Sequence, residues 1–244
     1  MALRLRPQSG APTGTLKGAQ DWLTEADGAI EAMLSRALAE AHPEDAFQGE
    51  ETGFRPGRGE HADAWRWVVD PIDGTSNYAR GSARWCVSIG LIGGRVPLLG
   101  VVNAAAAGEQ FAARLGGGAT RNGDPIRVAD TSDPARAMIE IGWSPRVATA
   151  DYLSTVERVI ELGAAARSSG SGAMGLADVA CGRTDAYFER HINLWDVAGM
   201  LPILAEAGAR VSPFMDGDGF GHGGPILAGT PGVFDVIETL LQMV

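Results

Sequence analysis

The chain has 244 residues, 45% apolar and 20% charged, enough to bury a core as one large domain or two small ones. Thirty acidic residues against 20 basic ones leave a formal charge of −10, which excludes a broad basic face for nucleic acid, and no apolar run reaches the roughly 18 residues of a membrane span. Cys86 and Cys181 stand far apart in apolar contexts, and Met1–Gly14 lacks the apolar stretch of a secretory signal, so a cytoplasmic protein without a disulfide framework is expected.

The first 15 residues, with their Pro and Gly, predict a loose lead-in. Thr24 and Asp27 read as the N-cap and third position of a helix, and Ile30, Met33, Leu34, Ala37 and Leu38 recur at helical spacing until Pro43 stops it. Residues 53–63 read as a polar, Gly-rich loop. Trp67–Val69 predicts a buried strand ended by Asp70-Pro71-Ile72-Asp73-Gly74. Trp85, Val87, Ile89 and Leu91 alternate with smaller residues, and Leu98–Val102 and Gln110–Ala113 follow. Gly93-Gly94, Gly116-Gly117-Gly118 and Asn122-Gly123 punctuate this stretch, which predicts antiparallel hairpins. From about Thr131 strands and helices alternate: strand Met138–Ile141, helix Tyr152–Leu162 with Leu153, Val156, Val159 and Ile160 inward, helix Ala173–Ala180 and strand Asp185–Phe188. A helix over Val197–Ala207, with Pro202 marking a kink or a first turn, stops at Gly208; strand Ile226–Ala228 and helix Val233–Leu241 close the chain.

The strongest chemical signal is Asp70-Pro71-Ile72-Asp73-Gly74-Thr75. Two carboxylates three residues apart at the exit of an apolar strand repel each other and resist desolvation unless a cation lies between them. Oxygen donors without His or Cys select a hard cation, Mg²⁺ first, and a helix beginning at Gly74-Thr75 presents free N–H groups to an anion such as phosphate. The same stretch also fits an Asx-turn ahead of a capped helix. Glu50-Glu51 is a second acidic pair, of which only one member easily reaches a shared site. Asp196 after Trp195, and Asp27, each fit a helix-start role as well as a site role.

Taken in order, Asp27, Gly49-Glu50-Glu51, the sequence Trp67-Val68-Val69-Asp70-Pro71-Ile72-Asp73-Gly74-Thr75-Ser76-Asn77-Tyr78, Trp195-Asp196-Val197-Ala198-Gly199 and Glu206-Ala207-Gly208-Ala209 resemble the inositol monophosphatase family, the Mg²⁺-dependent, lithium-sensitive sugar phosphatases. The resemblance runs from about Lys17 to the C-terminus. It implies an α/β (α+β) fold layered αβαβα, with a lead-in over 1–16, an antiparallel-sheet, metal-binding half over 17–130 and a mixed-sheet half over 131–244. It also implies two to three Mg²⁺ ions. Glu50, Asp70 and the Ile72 carbonyl would hold the first; Asp70, Asp73 and Asp196 the second; a looser third leans on Glu50. Thr75, paired toward Asp27, and Glu50 would orient and deprotonate the attacking water. Asp73, Gly74, Thr75 and Asp196 would surround the phosphate, and Ser169-Gly170-Ser171 and Glu189, seven residues before Asp196, the leaving group.

The activity implied is phosphomonoesterase action on a small polyol phosphate, inositol 1-phosphate first, by a cytoplasmic homodimer with no nucleic-acid or membrane partner. Histidinol phosphate, fructose 1,6-bisphosphate and 3′-phosphoadenosine 5′-phosphate are the alternative substrates within the same fold, and a non-catalytic binding protein is the alternative outside it. Two departures stand out: only about 16 residues precede Lys17, where a longer N-terminal helix is usual, and Ser171-Gly172 replaces the common Thr-Ala.

Overall fold

The computed structural model describes residues 1–7, 14–18, 21–58 and 64–241. Parts of the predicted lead-in (8–13) and of the predicted loop (59–63, with His61) lie outside the described residues. The lead-in is not loose throughout. Ala2–Leu5 forms one helical turn, α1, whose Ala2 is buried and whose Ala2 carbonyl accepts the Tyr78 hydroxyl at 2.9 Å. A two-stranded ribbon, β1 (Thr15–Gly18) and β2 (Asp21–Leu23), leads into α2 (Glu25–Ala41). Thr24 caps α2 as expected, in a reciprocal box with Asp27.

Eight strands then form one sheet: β3 (Ala46–Gly49), β4 (Gly53–Arg55), β5 (Trp65–Asp73), β6 (Cys86–Gly93), β7 (Val96–Ala104), β8 (Glu109–Arg114), β9 (Ala119–Arg121) and β10 (Asp124–Pro125), in the order β10-β9-β8-β7-β6-β5-β3-β4. The meander from β5 to β10 is antiparallel, as the turn signals predict. Three expectations are corrected. The predicted 53–63 loop begins with the edge strand β4. The sheet is mixed, because β3 runs parallel to β5. The strand predicted to end at Val69 continues to Asp73, crossing Pro71 at a register shift between Asp70 and Asp73; proline, lacking an N–H, is tolerated in a sheet at such a break. After β5 comes the short helix α3 (Thr75–Ala79).

The rest of the chain builds a five-stranded mixed sheet in the order β12-β11-β13-β15-β14, from β11 (Met138–Ile141), β12 (Ala165–Arg167), β13 (Ala186–Ile192), β14 (Arg210–Val211) and β15 (Gly224–Gly229). Its helices are α4 (Thr149–Glu161), α5 (Gly172–Ala180), α6 (Leu194–Ala198), α7 (Met200–Glu206), α8 (Gly219–His222) and α9 (Pro231–Leu241). The single helix predicted over Val197–Ala207 is two, broken at Gly199, and Pro202 occupies the first turn of α7, where its missing N–H costs nothing. In α4 the buried stripe is Thr155 and Val159 with Tyr152 and Val156 beside them. Leu153 and Ile160, predicted inward, are 58% and 59% exposed, because they lie seven apart on the opposite face.

Packing gives the layers α, β, α, β, α. Ile30 of α2 packs with Ile72, Tyr78 and Trp85 on the outer face of the large sheet. The α5, α6 and α7 helices lie between the sheets, with Leu176, Val197 and Ile203 meeting Val68 and Phe111 from one side and Ile226 from the other. Val159 of α4 and Phe234 of α9 cover the far face of the small sheet. No helix among the described residues is long and apolar enough to cross a membrane, and both cysteines are free.

The close approach of the α6–α7 junction to the large sheet depends on glycine. A Cβ at Gly90 would lie 2.5 Å from the carbonyl carbon of Ala198, and one at Gly100 would collide with the Gly199 carbonyl oxygen and sit 2.9 Å from Pro202. A side chain there must push α6 off the sheet. Gly100→Ala is expected to lower stability by about 2 kcal/mol through overpacking, read as a shift in the denaturation midpoint; a loss under about 0.5 kcal/mol would show that α6 has room to move.

Candidate active site

The β3–β5 register sets the first part of the site. Gly49 pairs with Val69, so the next residues, Glu50 and Asp70, leave the parallel strands at the same sheet end, with the Glu50 N–H on the Val69 carbonyl at 3.2 Å. The turn carrying Glu50 is fixed by Glu31 of α2, fully buried, whose carboxylate accepts the N–H groups of Glu51 (2.9 Å) and Thr52 (2.8 Å) and the Thr52 hydroxyl (2.6 Å). Any Cβ at Gly49 would overlap that carboxylate. Sequence reading missed Glu31; its signal was an acid four residues after Asp27, on the same face of α2 as that buried residue.

Beyond Asp70 the chain turns through Gly74, whose φ of +87° favours glycine and whose Cβ would lie 2.9 Å from the Arg84 carbonyl. Asp70 accepts the Ile72 N–H at 2.9 Å. The Thr75 hydroxyl lies 2.8 Å from the Ile72 carbonyl and 3.5 Å from Asp27, whose other oxygen takes the Thr24 N–H and hydroxyl. Asp196 arrives from the other half as the third residue of α6, accepting the Asn193 N–H at 2.8 Å. It is thus not an N-cap but the returning member of a capping box.

Asp73 meets the N-terminus of α5. The Ser171 hydroxyl and the N–H groups of Gly172 (3.2 Å) and Ala173 (2.9 Å) all donate to it. The turn before α5 is held by Asn77, whose amide donates to the carbonyls of Ser169 (2.8 Å), Gly170 (3.2 Å) and Arg84 (2.9 Å). Gly170 and Ser171 line the cavity with Glu140, to which the neighbouring Ser169 hydroxyl donates while it accepts from Arg84 Nε at 2.9 Å. Arg84 also reaches Glu140 at 3.0 Å and Asp178 at 2.6 Å, bracing both halves of the chain. Glu189 also lines the cavity, 8% exposed, and accepts the Tyr187 hydroxyl at 2.5 Å. The roles of Arg84, Asn77, Glu140 and Tyr187 were also missed, because isolated polar residues in strands, turns and a one-turn helix carry no spacing signal.

The cavity measures about 560 Å³, and Glu50, Asp73 and Asp196 reach its surface. Carboxylate oxygens of Asp70, Asp73 and Asp196 lie within 4.8 Å of one another, with Asp70 and Asp73 buried. Burial, then Glu50, Asp73 and Asp196, pushes Asp70 well above the usual carboxylate range. Burial, then Asp73, pushes Asp196 up to about 7. Asp73 is raised by burial, with Ser171 and the α5 amides opposing. Burial raises Glu189 to about 7 as well, against the Tyr187 hydroxyl. Among the described residues no arginine or lysine forms an ion pair with Asp70, Asp73 or Asp196. An all-oxygen set of crowded, desolvated acids fits a hard divalent cation.

These shifts have a sign. The folded chain retains protons on Asp70 and Asp196 that the unfolded chain releases near pH 4, so their contribution favours folding below about pH 4 and is lost as pH rises toward 7. Cation-free protein is therefore expected to melt at lower temperature at about pH 8 than at about pH 5, and millimolar Mg²⁺ to recover more at the higher pH. Thermal melts with and without chelator check this; equal Mg²⁺ gains at both pH values would contradict a cation among these acids.

Residues 3–236 match the model of the inositol monophosphatase family. The chain is 39% identical over 204 residues to the Nus factor SuhB of Xylella fastidiosa, covering 83% of this chain and 72% of that protein. It is 38% identical over 204 residues to the inositol-1-monophosphatase of Synechocystis sp., covering 80% and 68%. The inositol monophosphatase structure from Anabaena (Nostoc) sp. superposes with a TM-score of 0.81 at 35% identity, covering 91% of this chain and 88% of that one.

Proposed function

The chain belongs to the inositol monophosphatase family and is a phosphoric monoester hydrolase; from that premise we propose that it hydrolyses a small polyol phosphate, inositol 1-phosphate first, with Mg²⁺. The observation that carries this reading is the convergence of Asp70, Asp73 and Asp196, from both halves of the chain, within 4.8 Å of one another beside a cavity that Glu50, Asp73 and Asp196 line. Glu50, Asp70 and the Ile72 carbonyl would hold one Mg²⁺, and Asp70, Asp73 and Asp196 a second, with a third leaning on Glu50. Mg²⁺, when bound, neutralises the acids and phosphate and lowers the pKa of the attacking water.

The chain's own groups do the rest. Glu50 takes the proton of the attacking water, and Thr75, steadied by Asp27 and the Ile72 carbonyl, orients that water. The N–H groups at Gly74 and Thr75 receive phosphate oxygens. Gly170, Ser171 and Glu189 wall the space for the leaving alcohol, and Ser169, held by Arg84 in the same turn, stands beside them. Self-association as a homodimer, which the family resemblance implies, belongs to the same reading.

Histidinol phosphate is the alternative substrate. The Xylella relative is named as a Nus factor rather than by an activity. A non-catalytic role needs none of the four acids, and their retention favours hydrolysis. Asp73→Asn is expected to lower the Mg²⁺-dependent rate of phosphate release from inositol 1-phosphate by about 10²-fold or more while the protein stays folded by circular dichroism. A loss under about threefold would contradict the ligand role.

A further inference from the structure

Helix α2 buries two acids one turn apart, and each meets a different part of the site. Asp27 lies 3.5 Å from the Thr75 hydroxyl. Glu31 lies under the turn after Glu50: one carboxylate oxygen accepts the Glu51 N–H, and the other accepts the N–H and the hydroxyl of Thr52. Among the described residues no arginine, lysine or histidine forms an ion pair with Glu31. A fully buried carboxylate met only by the donors of one turn is a costly way to fill a core position, where an alkyl side chain would avoid the desolvation. What it supplies is direction. Two consecutive backbone amides converge on one rigid carboxylate, so the chain after Glu50 has one orientation, and on the other side the Glu50 N–H is held by the Val69 carbonyl.

We propose that Glu31 is a positioning residue: by holding the Glu51 and Thr52 amides it aims the Glu50 carboxylate at the cations, and so sets the affinity of the ions that lean on Glu50. This rests on the phosphatase reading and deepens it. Helix α2 then mounts both groups assigned to the attacking water, Glu50 through Glu31 and Thr75 through Asp27, from points about 6 Å apart along one rigid axis. Asp73 and Asp196 are held by other elements, the start of α5 and the α6 capping box. An ion held by Asp70, Asp73 and Asp196 is therefore outside the reach of Glu31.

Glu31→Gln keeps the size of the side chain but replaces one accepting oxygen with an NH₂ group, so at least one donor of the turn loses its acceptor. Mn²⁺ titration of the cation-free protein, followed by electron paramagnetic resonance, sorts the bound ions by affinity. The variant is expected to bind the ions that lean on Glu50 about tenfold more weakly and the ion of Asp70, Asp73 and Asp196 as the wild type does. Equal weakening of every ion, the mark of general loosening, overturns the proposal, and so does unchanged binding of all. In the same cation-free protein, backbone hydrogen exchange in the Glu51–Thr52 turn is expected to quicken; wild-type exchange there overturns the proposal. If Glu31→Gln does not fold, Thr52→Val, which removes one donor and leaves the carboxylate, carries the test, with about threefold weaker binding of the same ions expected; wild-type binding in it overturns the proposal. Failure of the phosphatase reading looks different: the wild type releases no phosphate from inositol 1-phosphate with Mg²⁺, while the Mn²⁺ contrast between wild type and variant persists.

Discussion

Carboxylates in a dry wall repel one another at distances where the low dielectric magnifies charge, and a chain that gathers Asp70, Asp73 and Asp196 within 4.8 Å must either hold protons there or hold a cation. Most of the local structure acts to keep these groups converged in spite of that repulsion. The parallel β3–β5 pairing brings Glu50 and Asp70 to one sheet end. The break at Pro71 lets β5 carry Asp73 as well. The α5 N-terminus donates to Asp73, which lowers the cost of its charge. Asp196 comes from the far half of the sequence on a helix that rests on the sheet at Gly90 and Gly100.

The two halves are accordingly not independent. Asn77 and Arg84, both from the segment after β5, bond to the turn before α5, and Arg84 also reaches Glu140 and Asp178. One core runs between the sheets, with Val68 and Phe111 packed in the same cluster as Leu176 and Ile226. A shift of one sheet against the other would move Asp196 away from Asp70. Rigidity between the halves is thus part of the chemistry, since the acids come from both.

Much of this was legible in the sequence where short-range rules decide the outcome. The Thr24–Asp27 box, the hairpins after Trp85 and the helix start at Gly74-Thr75 each follow from turn and cap chemistry within a few residues. What was not legible depends on distant partners. The parallel β3–β5 pair, the exposed Leu153 and Ile160, and the break of the last long helix at Gly199 are set by which surface each element meets. The bonds that engage the Ser169 hydroxyl, from Arg84 and to Glu140, likewise join residues far apart in the chain. Glu50 and Glu51 could not be told apart by type; the turn held by Glu31 brings Glu50 to the cavity.

The account turns on a divalent cation standing among acids that would otherwise force protons onto one another. Crystals grown with Mn²⁺ and inorganic phosphate test it most directly, through the anomalous signal of the metal. The account predicts manganese peaks bonded to Asp70, Asp73 and Asp196, at least one also reaching Glu50, with phosphate against the Gly74–Thr75 turn. Acids found splayed apart with no manganese between them, at saturating Mn²⁺ and neutral pH, would contradict it.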